Sequence, residues 1–209
     1  MTALLKHNSA VAKNVFANYL GQGYSIVIGF VVLPLYLQYL GAEAYGLVGF
    51  FTLLASWLQF LDLGMTPTLG REVARLKEKP LEHWRLLTVV NSLERVFFLI
   101  AFLSGLAIFF LRERIAAEWL TFSELALSTV STTIGVMALI VAVRWVSSLN
   151  RSGVNAYEEQ VWLNKADIVS NTLRFPVALA LVIWSNGNIL VYFYFQLAVV
   201  IGEVLVIRL

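Results

Sequence analysis

The chain has 209 residues, 59% of them hydrophobic and 13% charged, with a formal net charge of +2 and a mean hydropathy of +0.78. Soluble domains carry about a quarter charged residues and about half apolar ones, so no water-soluble packing hides this much apolar surface and lipid must serve as the solvent. The small positive charge gives no ground for nucleic-acid binding, and the lack of cysteine excludes disulfides, a thiolate nucleophile and a sulfur metal site.

A helix needs about 20 mostly apolar residues to cross the hydrocarbon core. Six such stretches are read at roughly 15–40, 46–66, 88–111, 124–149, 163–184 and 188–209. They predict an all-α, polytopic membrane bundle. No alternation at every second residue is present, which argues against a membrane barrel. The first stretch is too long for the apolar region of a cleaved leader and is expected to remain as the first span.

Each stretch carries a polar or small-residue stripe on one side. The first has Ala17, Gly21, Ser25 and Gly29 every four residues, a ridge that admits a neighbouring backbone, and beside it the row Asn14, Asn18 and Gln22. Gly41 to Gly46 makes a tight link to the second stretch, which shows Thr52, Ser56, Gln59 and Asp62. The segment from Arg71 to Arg85 reads as a basic amphipathic surface piece interrupted at Pro80, with Trp84 suited to the interface. The third stretch opens with Thr88, Asn91, Glu94 and Arg95, and a short interfacial helix anchored by Trp119 is expected between Arg112 and Ser123. The fourth has Ser128, Thr129, Thr132 and Thr133 near one end, and Arg144 and Ser148 near the other. The fifth carries Asn164, Asp167, Asn171 and Arg174 on one face. After a turn at Ser185-Asn186-Gly187-Asn188, the sixth carries Gln196 and Glu203 seven apart.

Orientation follows from the basic residues, because Lys- and Arg-rich loops stay cytoplasmic. With six crossings, one side receives Lys6, Lys13, Arg71, Arg75, Lys77, Lys79, Arg85, Arg151 and Lys165, and the other only Arg112 and Arg114. Both termini are therefore expected in the cytoplasm. His7 and His83 are isolated in the cytoplasmic segments and read as surface residues, so no metal site and no cofactor is expected.

Polar residues between packed helices commonly do no more than hydrogen-bond across them. Ionised groups are costlier, at about 2.5–3.5 kcal/mol or more near mid-membrane, and usually face a cavity or a partner. The whole set is expected to line a hydrated interior. Asp62, Glu94, Asp167 and Glu203 are candidates for a gate or for ion coupling, lying with Arg95 and Arg144 within a few turns of the cytoplasmic side. Arg174 lies nine residues beyond Lys165, about 13 Å deeper at the helical rise, and Pro176 weakens the backbone ladder beside it. Arg174, helped by Arg144 and Arg95, forms a candidate electropositive spot for an anionic substrate, since guanidinium suits forked contact with phosphate. Asn171, Asn18 and Gln22 are candidates for the polar part of the same substrate. Pairing of Arg174 with Asp167, seven residues away, is the structural alternative.

The run Leu40-Gly41-Ala42-Glu43-Ala44-Tyr45-Gly46, followed by Leu61-Asp62-Leu63-Gly64 and Arg71-Glu72, resembles the start of the O-antigen and exopolysaccharide flippases (Wzx type) of the multidrug/oligosaccharidyl-lipid/polysaccharide exporter superfamily. The likeness is strongest over about residues 14–75. It implies one six-helix lobe of a twelve-helix alternating-access transporter in the bacterial inner membrane, with no catalytic residues. The implied substrate is an undecaprenyl-diphosphate-linked oligosaccharide, moved to the outer leaflet with its lipid tail in the bilayer and with H+ or Na+ as a coupling ion. The chain is expected to be the N-terminal half, completed by a C-terminal lobe or a second copy. The cation found in the first helix of the related lipid II flippases is replaced here by Asn18 and Gln22. A cation-coupled drug antiporter of the same superfamily would use the carboxylates, whereas a glycan-processing membrane enzyme would need catalytic groups that the 112–123 segment lacks.

Overall fold

The computed structural model describes residues 2–60, 62, 64–76, 83–156 and 160–207. Every regular element among them is helical: α1 Thr2–Leu40, α2 Ala42–Phe60, α3 Met65–Leu76, α4 His83–Glu118, α5 Leu127–Ala156, α6 Gln160–Thr172, a π-helical turn Leu173–Val177, α7 Ala178–Trp184 and α8 Ile189–Val206. The segment α6–π turn–α7 is continuous and makes one span. Five helices are long and apolar enough to cross a membrane: Gly21–Leu40, Thr88–Glu118, Leu127–Ala156, Gln160–Trp184 and Ile189–Val206. This is a multi-pass membrane protein.

The second stretch, expected at 46–66, is the 19-residue α2, which carries Glu43 and Gln59 near its ends and is not one of those five. It stops at Phe60 because the chain turns there. The Asp62 carbonyl accepts from the Met65 amide at 2.8 Å, and Gly64 takes φ +81°, a left-handed backbone that favours glycine. Asp62 then caps α3, its Oδ1 accepting from the Thr66 amide at 3.1 Å and from the Thr66 hydroxyl at 2.7 Å. The expected interfacial helix after Arg112 is instead a continuation of α4 to Glu118, leaving Trp119 exposed just beyond it.

Helix α5 is the axis of the molecule and packs against α2, α3, α4, α6 and α8. Its central run Val130, Ile134, Met137 and Ile140 is fully buried. Helix α4 comes close because Gly105 lies against the Ala142 methyl and Gly135 against the Phe109 ring. Lipid tails are as apolar as leucine, so helix association here rests on van der Waals fit and interhelical hydrogen bonds. Two apolar clusters provide the fit. The larger joins Val32 and Tyr36 of α1, Leu47 and Phe51 of α2, the α5 run, Val182 of α7, and Tyr192 and Phe193 of α8. The smaller seats the apolar side of α3, Leu69 and Val73, on Phe97, Ala101 and Trp145. Arg71 and Arg75 of α3 stay exposed, as an amphipathic surface helix requires.

One end of the bundle is tied by side chain to backbone. The Glu43 carboxylate accepts from the amides of Ser123 (2.7 Å), Glu124 (2.9 Å) and Leu125 (3.1 Å), and from the Ser123 hydroxyl (2.8 Å). Those donated hydrogen bonds, led by the Ser123 amide, hold its pKa down at about 2. The α7–α8 turn reaches the same end: Gly187, at φ +79°, lies directly against the Tyr39 carbonyl at the end of α1. At the opposite end the Ser152 hydroxyl donates to the Thr66 carbonyl at 2.8 Å and joins α5 to α3.

Candidate functional site

Helix α5, the continuous α6–π-turn segment and helix α8 each present two polar residues seven apart: Arg144 and Arg151, Asp167 and Arg174, Gln196 and Glu203. The fold interleaves them. Arg151 Nη2 donates to Asp167 Oδ1 at 2.5 Å, Arg151 Nη1 donates to Glu203 Oε1 at 2.7 Å, and Arg174 Nη2 donates to Glu203 Oε2. Two cations and two carboxylates thus alternate in a neutral ladder across three helices. Glu203 is its centre, with 8% of its side chain exposed and a guanidinium on each oxygen. An ion buried this far requires such a partner, because desolvation otherwise outweighs what Coulomb attraction returns.

The π turn sets the depth of Arg174. Pro176 has no amide proton, and the widened turn leaves carbonyls to be satisfied from elsewhere. The Tyr36 hydroxyl of α1 donates to the carbonyls of Arg174 (3.1 Å) and Phe175 (2.9 Å), and Gln196 Nε2 of α8 donates to the Arg174 carbonyl at 2.8 Å. Both donors are almost fully buried. The irregular turn is therefore fixed from both sides.

Between α1 and α6 the small-residue ridge does what its spacing predicts over part of its length. Gly21 lies against the Asn164 side chain, Asn171 Nδ2 donates to Ser25 Oγ at 2.6 Å, and Tyr24 and Thr172 share a hydroxyl hydrogen bond of 2.5 Å. Gly29 has open space beside it. A recess of about 370 Å3 is lined there by Gln22, Ser25, Asn164, Asp167 and Asn171. Gln22, Asn171 and Asp167 are thus brought together; the side chain of Asn18 lies outside the described residues.

Arg144 and Asp62 belong elsewhere, to a cavity of about 440 Å3 between α2, α3 and α5 that Gln59, Thr66, Trp145 and Ser148 also line. Arg144 has Cζ 5.3 Å from the centre of the Phe51 ring, and its Nε is buried without a hydrogen-bond partner. Glu94 and Arg95 are exposed on α4 and line an open hollow of about 810 Å3 with Asn91, Phe98 and Asn150, apart from the ladder. The nine candidates whose side chains are described therefore belong to the ladder or line separate recesses around the bundle. Arg174 pairs with Glu203 rather than directly with Asp167, and the link between those carboxylates is Arg151, read from the sequence only as a basic end residue. Its place seven residues after Arg144 was the signal for it.

A membrane helix bundle with a buried ionic ladder fits many roles, and a family comparison narrows the choice. The family model for polysaccharide biosynthesis proteins matches residues 11–209. The chain belongs to that family. No curated protein and no solved structure matches it. Membership covers every described span, so the ladder, the π turn and the α2–α3–α5 cavity are features of a polysaccharide biosynthesis membrane protein.

Proposed function

We propose that this chain is one lobe of an exporter that moves a lipid-linked oligosaccharide headgroup across the bacterial inner membrane during surface polysaccharide or O-antigen biosynthesis. The supporting observation is the family match over helices that bury a compensated ionic network inside apolar spans. A polar sugar–diphosphate headgroup requires a hydrated route, while its undecaprenyl tail stays in lipid. The basic ends of α1, α3 and α6 face the cytoplasm in this reading. The route forms between this lobe and a second six-helix unit, either a C-terminal lobe or another copy, with α2 as the sixth span. The ladder works as a gate element: rearrangement of Glu203 between Arg151 and Arg174 couples movement of α8 to α5 and α6. H+ or Na+ is the coupling ion.

The antiporter alternative needs a carboxylate free to take a cation. Asp167 and Glu203 are each held by arginine, which supports export, whereas Glu94 is exposed and Asp62 accepts through Oδ1 alone among the described residues. Expression in a strain lacking its own flippase tests the reading. Restored surface polysaccharide is expected; drug resistance without restored polysaccharide would overturn it in favour of the antiporter.

A further inference from the structure

Helix α4 carries two adjacent charges of opposite sign, Glu94 and Arg95. Both are exposed, and among the described residues neither has an opposite charge within ion-pair distance. Residues 96–111, which follow them, hold no charge and rise about 24 Å, against a hydrocarbon core of about 30 Å. Arg112 closes that run at its far end, so Glu94 and Arg95 stand at the near boundary, where lipid headgroups meet acyl chains. A charge at that level is satisfied by water or by a headgroup.

The two charges line a hollow of about 810 Å3 whose polar and apolar walls are separated along the helix axis. Asn91, Arg95, Phe98 and Phe102 are spaced four, three and four along α4 and so form one stripe, with Glu94 beside it. Helix α5 runs antiparallel to α4, as the contacts of Phe97 with Trp145 and of Gly105 with Ala142 require. Asn150 therefore adds to the polar end and Val146, one turn back, to the apolar end, while Val204 of α8 completes the wall. The exposed rings of Phe98 and Phe102 lie nearly parallel, 9° apart with centroids at 6.4 Å, and make an apolar track leading from the charges toward the bilayer middle.

Both charge signs above an apolar track is the order of groups in a zwitterionic phospholipid. Its phosphate suits the forked guanidinium, and a primary ammonium donates to the carboxylate. A purely anionic headgroup would satisfy Arg95 and be repelled by Glu94. A quaternary ammonium has no N–H to give to Glu94. A second copy related by a twofold axis could set Glu94 against Arg95, but it would bring the same concave wall. Two hollows face to face enclose empty space instead of a packed interface.

We propose that the hollow between α4, α5 and α8 binds one phospholipid with a primary ammonium headgroup, of the phosphatidylethanolamine class. Its phosphate sits on Arg95, its ammonium on Glu94, and one acyl chain along Phe98 and Phe102. The site stands apart from the ionic ladder and does not depend on the export reading.

The full chain is delipidated in detergent micelles and titrated with dioleoyl-phosphatidylethanolamine, dioleoyl-phosphatidylcholine or dioleoyl-phosphatidylglycerol, and bound lipid is followed by native mass spectrometry. The ethanolamine lipid is expected to bind about three- to tenfold more tightly than the other two, the range that exposed charged contacts provide. Glu94→Gln is expected to lower its affinity to that of the choline lipid, and Arg95→Gln to weaken the ethanolamine and choline lipids alike. On the unaltered protein, successive N-methylation of the headgroup should weaken binding in steps, which keeps the test decisive should a variant fail to fold. Equal binding of the three headgroups, an ethanolamine preference that survives Glu94→Gln, or a flat N-methylation series would each overturn the proposal. So would a dimer that forms as lipid is removed and that Arg95→Gln abolishes, which would assign the hollow to a second copy.

Discussion

Replacing Glu203 with Ala removes the centre of the ionic ladder and leaves two guanidinia facing each other across three helices. Arg151 keeps Asp167, whereas Arg174 loses the one carboxylate it pairs with among the described residues. The side chains are 28% and 17% exposed, so water compensates them only partly. Breaking a buried pair by removing one partner costs about 3–5 kcal/mol, and the Glu203→Ala loss is expected in that range. Arg174→Ala is milder because Glu203 still holds Arg151; losing one charge-assisted hydrogen bond costs about 1.5–3 kcal/mol. In the double variant no unpaired Arg174 remains, so its loss should fall short of the sum by roughly 1–3 kcal/mol. Reversible unfolding in mixed detergent micelles, followed by far-ultraviolet circular dichroism, measures all three. Additivity within about 0.5 kcal/mol would refute the coupling of α6 and α8 through this ladder.

Two further expectations concern the opposite end of the molecule. The Glu43 pKa of about 2 lies below the ordinary glutamate value of about 4.3. Its contribution is therefore complete above that ordinary value and is lost as pH falls toward about 2. Hydrogen exchange at the Ser123, Glu124 and Leu125 amides should lose protection over that window, and Glu43→Gln should weaken it already at neutral pH; identical protection in the variant would show that the loop is held by other contacts. Gly41 and Gly187 both have φ near +80°, but only Gly187 has a backbone carbonyl, that of Tyr39, where a Cβ would go. Gly41→Ala should cost about 1–2 kcal/mol from backbone strain alone, and Gly187→Ala distinctly more in the same unfolding assay; equal losses would contradict the close approach of α1 to the α7–α8 turn.

Much of the architecture was legible because lipid imposes a simple rule. Any segment crossing it must satisfy its own backbone hydrogen bonds and be apolar over about 20 residues, and hydropathy reads both off a linear string. The weakest expected span, α2, is the one that polar residues near its ends, Glu43 and Gln59, leave outside the clear set. Asp62 illustrates the limit: in a polar stripe it looks like a group facing a pore, yet a cap for α3 has the same sequence signature. Arg151 illustrates the converse, since counting basic ends placed it in a loop and hid its link between Asp167 and Glu203.

Periodicity along one helix set which polar groups share a side, and hydropathy marked which segments are apolar enough to cross. Neither says which helices become neighbours, because any apolar face suits lipid as well as another helix does. That choice came from close approach at small residues and from pairing of ions that lipid will not solvate. Contact between α5, α6 and α8 left Arg174 compensated and Arg144 without an ion-pair carboxylate among the described residues, a distinction that two arginines on separate spans cannot reveal until the spans are packed.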